Sequence, residues 1–432
     1  MKPVFVFLTL ALTLTTANRK ISIGFNPGCA GLSGCNGPNP ASKLLYIKSE
    51  GDCDSIHYVW TFNQKSIPTL LILESSNNAS VVSIDWQSFL HIFNSSIHGS
   101  IRLKCGKQFC EDSVLSSSVY VLKSIIQYND TKNNADITDK GNLYVSSYDL
   151  SNLNWNISVS QEVNSFLVEG SPYNQTGTFS KDGKLIMKFT TKDKSGRGPL
   201  FPHLPYNDQS SMWEIILTNL TTAFVGSRFA LDFLVVNPEN VSFSGQKTSL
   251  SKTVKKITKW SIDDEYSPSV FTSQQILWVN ISSERPSSYW LWRTVCYTNV
   301  TPSRAFSSDV QTTNLVLINK TTVTGLESNH LLLAIFGKSV IDKLPFKRFS
   351  ISFGKPDDGF YRATEYLSWT SLVGVGEPPA DSLSLMVVCI IFAGVGCPVL
   401  VILFGAVYLV VRRCRKHRMQ RVALLSNYEP IG

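Results

Sequence analysis

Large apolar residues recur at every second position through much of this chain. Ile56, Tyr58, Trp60 and Phe62 form one such run, and Val82, Ile84 and Trp86 alternate with Ser83, Asp85 and Gln87. Trp155, Ile157 and Val159 repeat the pattern, as do Leu185, Met187 and Phe189, then Phe229, Leu231, Phe233 and Val235, and finally Phe349, Ile351 and Phe353. A period of two with aromatic and β-branched residues predicts half-buried antiparallel strands. His57 falls on the polar side of its run, which predicts a surface histidine. Turn clusters such as Asn26-Pro27-Gly28, Lys181-Asp182-Gly183 and Lys355-Pro356-Asp357-Asp358-Gly359 separate the runs, and amphipathic helical patterns are few. The fold class is therefore mainly β. About 350 residues of this kind exceed one sandwich, so the expectation is two β-sandwich-like domains, 18–245 and 246–373, with the seam in the polar stretch Asn237 to Lys259.

Two apolar runs lack this period. Residues 1–17, MKPVFVFLTLALTLTTA, have the charged start, short apolar middle and small-residue end of a secretory signal peptide. From Ser382 to Val411 no residue is charged, which is long enough to cross a bilayer as a tilted helix. Arg412, Arg413, Arg415, Lys416 and Arg418 follow at once and mark the cytosolic side. The expected topology is a single pass, with 18–373 exported, 374–381 as a stalk (Gly374-Val375-Gly376-Glu377-Pro378-Pro379) and 412–432 in the cytosol.

This topology reassigns the charge. The chain of 432 residues carries a formal +8, which alone would point to an acidic polymer as partner. Five of those charges belong to the tail and one to Lys2, so residues 18–411 hold only +2. A near-neutral exported region argues against nucleic acid.

Ten Asn-x-Ser/Thr sequons lie in the exported region: Asn78, Asn94, Asn129, Asn156, Asn174, Asn219, Asn240, Asn280, Asn299 and Asn319. Each is expected on the surface and carrying a glycan. Asn299 is the weakest, because Pro302 follows its threonine. Six exported cysteines, Cys29, Cys35, Cys53, Cys105, Cys110 and Cys296, predict up to three disulfides in an oxidising lumen. Cys105 with Cys110 suits a hairpin bridge, and Cys29 is placed to pair with Cys35 or Cys53. No zinc spacing occurs, so no metal is expected. Cys389 and Cys397 lie in the apolar span. Cys414 at its cytosolic edge is a candidate for palmitoylation.

Catalytic motifs are absent. There is no nucleophile elbow, HExxH, P-loop or Rossmann glycine pattern, so neither an enzyme nor a cofactor is expected. Asp263-Asp264-Glu265 is the densest carboxylate cluster, and its setting reads better as a capped turn than as an acid–base pair. Lys252, Lys255, Lys256 and Lys259 have helical spacing and would form a basic stripe facing solvent, an acidic partner or lipid headgroups. Tyr428-Glu429-Pro430-Ile431 fits the tyrosine sorting signal read by clathrin adaptors on the endosomal and lysosomal route, an extended peptide with two pocket-filling side chains. Leu424-Leu425 lacks the upstream acid of a dileucine signal. In the apolar span Gly394, Cys397, Val401 and Gly405 give the helix one small face, a docking face for another membrane protein.

The chain resembles the glycosylated lysosomal membrane protein family. The resemblance rests on Ser261-Ile262-Asp263-Asp264-Glu265-Tyr266-Ser267-Pro268-Ser269-Val270-Phe271, on Tyr366-Leu367-Ser368-Trp369 with Leu372-Val373-Gly374-Val375-Gly376-Glu377-Pro378-Pro379, on His57-Tyr58-Val59-Trp60 and on the terminal tyrosine signal. It runs from near residue 44 to the end; the cysteine-rich opening departs from it. It implies a non-enzymatic accessory subunit, in the lysosomal membrane, of a major-facilitator-type transporter that exports dipeptides, with a glycan-covered domain shielding the transporter from luminal proteases. The competing expectation is a luminal hydrolase or a ligand-binding receptor. In an acidic lumen the histidines would be expected to take up protons.

Overall fold

A computed structural model describes residues 18–426 apart from several stretches, chiefly 36–41, 92–98, 174–177, 237–250, 261–270, 319–328 and 380–389, with shorter ones between; for 251–260 and 422–426 the backbone alone is described. The signal sequence expected at 1–17 lies outside the described residues.

The alternating runs fold as strands, and the strands form two antiparallel sheets face to face. The first sheet runs, in spatial order, Lys20–Phe25, Leu44–Glu50, Ser55–Thr61, Thr69–Ser75, Val114–Asn129, Ser227–Val236 and Phe346–Phe353. The second runs Leu153–Ser160, Ser165–Pro172, Phe179–Thr191, Ser210–Leu220, Tyr366–Val375, Pro286–Arg293, Phe271–Asn280 and Ser251–Trp260. Strand Ser307–Thr312 joins them at one edge, its first half paired with Val295–Tyr297 and its second with Phe346–Phe353.

The inward residues of both sheets make an aromatic core. Trp60 of the first sheet meets Trp213 of the second edge-on at 4.9 Å, and Phe233 meets Trp290 at 4.9 Å and 90°. Such pairs add ~1 kcal/mol each beyond the apolar area they remove from water. Period two arises because every second side chain must reach this layer.

The two domains expected on either side of residue 245 are one compact unit that extends through Pro379. Ser210–Leu220 pairs with Tyr366–Val375 from Ser210 opposite Gly374 to Thr218 opposite Tyr366, and Ser227–Val236 pairs with Phe346–Phe353. Central strands of both sheets therefore come from both sides of the expected boundary, and neither half could close its own sheets. One sandwich here absorbs the whole length because its two sheets together use fifteen strands. The four lysines read as a helical stripe lie on the strand Ser251–Trp260, so no such stripe forms.

Both sheets are also covered on their outer faces. Over the first lies a second apolar cluster that includes helix Trp86–Leu90, helix His330–Phe336 and the strands Ser80–Ile84 and Ile101–Cys105. The run Val82, Ile84, Trp86 is thus not one strand. It ends at Ile84, and Asp85 caps the short helix by accepting from the Ser88 amide. Ser227–Val236 is buried along its whole length, with Phe229, Leu231, Phe233 and Val235 in the aromatic core and Leu234 and Val236 in the outer cluster. A smaller cluster, with Phe201, Leu204 and Met212, covers part of the second sheet. The remaining unit, 380–432, contains helix Cys397–Ser426.

Candidate functional site

The sequons among the described residues reach solvent at least in part. Asn156 and Asn219 are exposed, and Asn78, Asn129, Asn280 and Asn299 are partly exposed. Asn94, Asn174, Asn240 and Asn319 lie outside the described residues. Cys105 bridges to Cys110 across the turn between Ile101–Cys105 and Gln108–Phe109, and Cys29 bridges to Cys35 rather than to Cys53. The third expected disulfide does not form. Cys53 is exposed, whereas Cys296 is buried and donates its thiol toward the Ser308 and Asp309 carbonyls, so the two remaining thiols stay apart.

His57 corrects the sequence reading most sharply. The polar side of its strand is covered by Ser80–Ile84, and the ring is fully buried. The Val82 amide donates to the Tyr46 oxygen at 3.2 Å, and the Tyr46 hydroxyl donates to His57 Nδ1 at 2.8 Å. Nε2–H is then the donor to the hydroxyls of Ser80 at 2.9 Å and Ser55 at 3.0 Å, which lie 2.6 Å from each other. The network assigns the neutral tautomer protonated at Nε2. Burial, and then the nearby Lys48 ammonium, push the ring's pKa down to about 3. His330, which accepts from Asn63 Nδ2 at Nδ1, is likewise held down to about 4 by burial. These two histidines stay neutral in an acidic lumen, contrary to the expectation.

A serine within reach of histidine invites comparison with a hydrolase. Here Nδ1 faces a phenol rather than a carboxylate, and Ser55, His57 and Ser80 are all fully buried. The arrangement satisfies polar groups under a covered sheet face. It presents no nucleophile to a substrate.

A second buried network was invisible in sequence. Arg228, on the central strand Ser227–Val236, donates to Asp130, to Asp358 at 2.8 Å, to Asn133 Oδ1 at 2.7 Å and to the Lys355 carbonyl at 3.0 Å. Asp130 also accepts from the amides of Asn134 and Ala135. This ties the turn after Asn129 to the turn after Phe353, and no spacing rule links positions 130, 228 and 358. Among the described residues no three His, Cys, Asp or Glu side chains gather as a metal site. Asp263-Asp264-Glu265 lies outside the described residues.

The second half of the apolar run lies on the helix Cys397–Ser426, whose residues from Cys397 to Arg421 are exposed. It continues without a break through the basic cluster. Gly394 and Gly405 are open: a Cβ added at either would meet nothing within 4 Å. Cys397, Val401 and Cys414 are exposed. Cys389 and the tail motif Tyr428 to Ile431 lie outside the described residues.

A β-sandwich with solvent-facing sequons and disulfides, followed by one apolar helix and a basic flank, defines a single-pass membrane glycoprotein. Comparison with known proteins gives the particular kind. The family described as "Glycosylated lysosomal membrane protein" matches residues 43–416. The chain is 30% identical to glycosylated lysosomal membrane protein of Danio rerio, covering 96% of this chain and 92% of that protein. It is 28% identical to glycosylated lysosomal membrane protein B of Xenopus laevis (96% and 93%) and 27% identical to the Homo sapiens protein (89% and 87%). The chain belongs to this family and is a lysosomal membrane protein.

Proposed function

We propose that this protein acts without catalysis, as the accessory subunit of a lysosomal major-facilitator-type transporter of dipeptides, which it stabilises and shields from luminal proteases. The observation that carries the reading is the division of labour in the chain. A compact, disulfide-braced unit with solvent-facing sequons precedes a helix on which Cys397, Val401 and Gly405 are exposed, with Gly394 just before it open as well. Glycans and a closed sandwich resist proteolysis, and a small helix face allows close approach of a membrane partner. The terminal Tyr428-Glu429-Pro430-Ile431 would deliver the complex through clathrin adaptors.

Three experiments test this. Quantitative proteomics of lysosomes lacking the protein should show one multi-spanning transporter selectively depleted; an unchanged membrane proteome refutes the role. Gly394→Leu with Gly405→Leu should reduce co-purification of that transporter, and intact co-purification excludes this docking face. Tyr428→Ala should shift the protein to the cell surface, and undiminished lysosomal enrichment would rule out the signal.

A further inference from the structure

The outer face of the second sheet carries a groove that neither the sandwich nor the proposed role uses. On strand Phe179–Thr191, Met187 and Phe189 point to the aromatic core, so Lys188 and Thr190 point outward, followed by Lys192. Lys188 sits opposite Glu214 of the neighbouring strand, and Thr190 opposite Met212. The segment 198–201 forms the facing wall and leaves a cavity of about 370 Å³. That volume falls within the ~300–1,000 Å³ of small-molecule sites and is mostly apolar in lining, as they are.

The wall is anchored. Phe201 is buried against Tyr297, the Leu204 amide donates to the Phe201 carbonyl at 3.1 Å, and Arg293 Nε donates to the His203 carbonyl at 3.0 Å. Leu200, at the rim, is 56% exposed, an apolar side chain open to solvent beside the groove. Meanwhile the two ammonium groups are under-neutralised. Neither Lys188 nor Lys192 makes an ion pair among the described residues, and Lys192 rests over the Tyr206 ring at 4.4 Å.

We propose that this groove binds a free medium-chain fatty acid, its alkyl chain against Leu200, Phe201 and Met212 and its carboxylate between Lys188 and Lys192. An apolar trough flanked by two unpaired cations is complementary to that chemistry and too small for a folded element of a partner. Glu214 is the one acid in the lining. It faces Lys188 from the adjoining strand and lies opposite Thr370 of the strand on its other side, and burial raises its pKa. Burial, with Lys188 next, lowers the pKa of Lys192, which Asp193 opposes. Acidification would therefore favour discharge of the competing carboxylate.

The test uses the full-length glycosylated protein in amphipol and a dodecanoate bearing a terminal diazirine. Photolysis should place adducts on 198–201 or Met212, competed by dodecanoate and not by dodecylamine. Lys188→Glu with Lys192→Glu should cut labelling about tenfold, and Glu214→Gln should raise it at neutral pH. A Lys→Gln pair, expected between wild type and the Glu pair, separates charge from folding, with melting temperature as the control. The proposal is overturned by adducts confined to 397–421, by equal competition from dodecylamine, or by wild-type labelling in the folded charge variants. Displacement by an acidic, apolar peptide but not by dodecanoate would assign the groove to a protein segment and equally overturn it.

Discussion

Acidification should destabilise this protein through His57, and the size of the effect follows from its burial. A histidine in the unfolded chain titrates near 6.5, whereas His57 in the folded protein titrates at about 3. Because the folded pKa is the lower one, the stability contribution is present above 6.5 and is lost as the pH falls from 6.5 toward 3, where the unfolded chain binds a proton that the folded one refuses. At pH 5 the gap amounts to 1.5 pH units, or about 2 kcal/mol. That is a sizeable fraction of the ~5–15 kcal/mol that holds a domain folded. The perturbation is His57→Gln, which retains hydrogen-bonding atoms but cannot titrate. Urea unfolding followed by tryptophan fluorescence should be run at pH 7 and pH 5 on both proteins. Between the two pH values, wild type should lose about 2 kcal/mol more than the variant. Burial raises the pKa of Glu74 and Glu214, which works in the opposite sense by binding protons in the folded state. Both proteins share those groups, so the difference between them isolates His57. Equal pH dependence in the two proteins would refute the assignment of a buried, neutral imidazole.

Other outcomes follow from the packing. Trp60→Ala or Trp290→Ala, each deleting a fully buried ring at the meeting of the two sheets, should cost about 3–5 kcal/mol in unfolding free energy, with little effect below 1 kcal/mol counting against the shared core. Arg228→Ala removes the buried cation that Asp130 and Asp358 share and should cost about 3–5 kcal/mol, measured by denaturant midpoint; the double variant Arg228→Met with Asp130→Leu should recover part of it. Replacing both Cys105 and Cys110 by Ser opens a small loop and should cost about 2 kcal/mol, read as a lowered thermal midpoint. Asn156→Gln should remove one glycan's mobility shift on a gel without changing the melting temperature, since the side chain is exposed, whereas Asn219→Gln should remove another and lower the melting temperature slightly, because Asn219 has a positive φ of 50°.

Local and linear features were legible in the chain. Period two made strands of the Trp155, Leu185, Phe229 and Phe349 runs, because alternation along a pleated strand is a property of neighbours in the chain. The apolar run ending at Arg412 announced a spanning helix, because bilayer thickness fixes its length. The Cys105–Cys110 bridge and solvent-facing sequons at Asn156 and Asn219 were also legible at short range. Tertiary structure alone decided the rest. Whether a strand's polar side meets water or another layer depends on what folds over it, so His57 looked exposed and is buried beneath Ser80–Ile84. Which strands pair is set by closing the sheets, so Tyr366–Val375 lies beside Ser210–Leu220 and two expected domains are one. The Arg228 network and the groove at Lys188, Lys192 and Leu200 join residues far apart in the chain. Their chemistry exists only once the core has brought those backbones together.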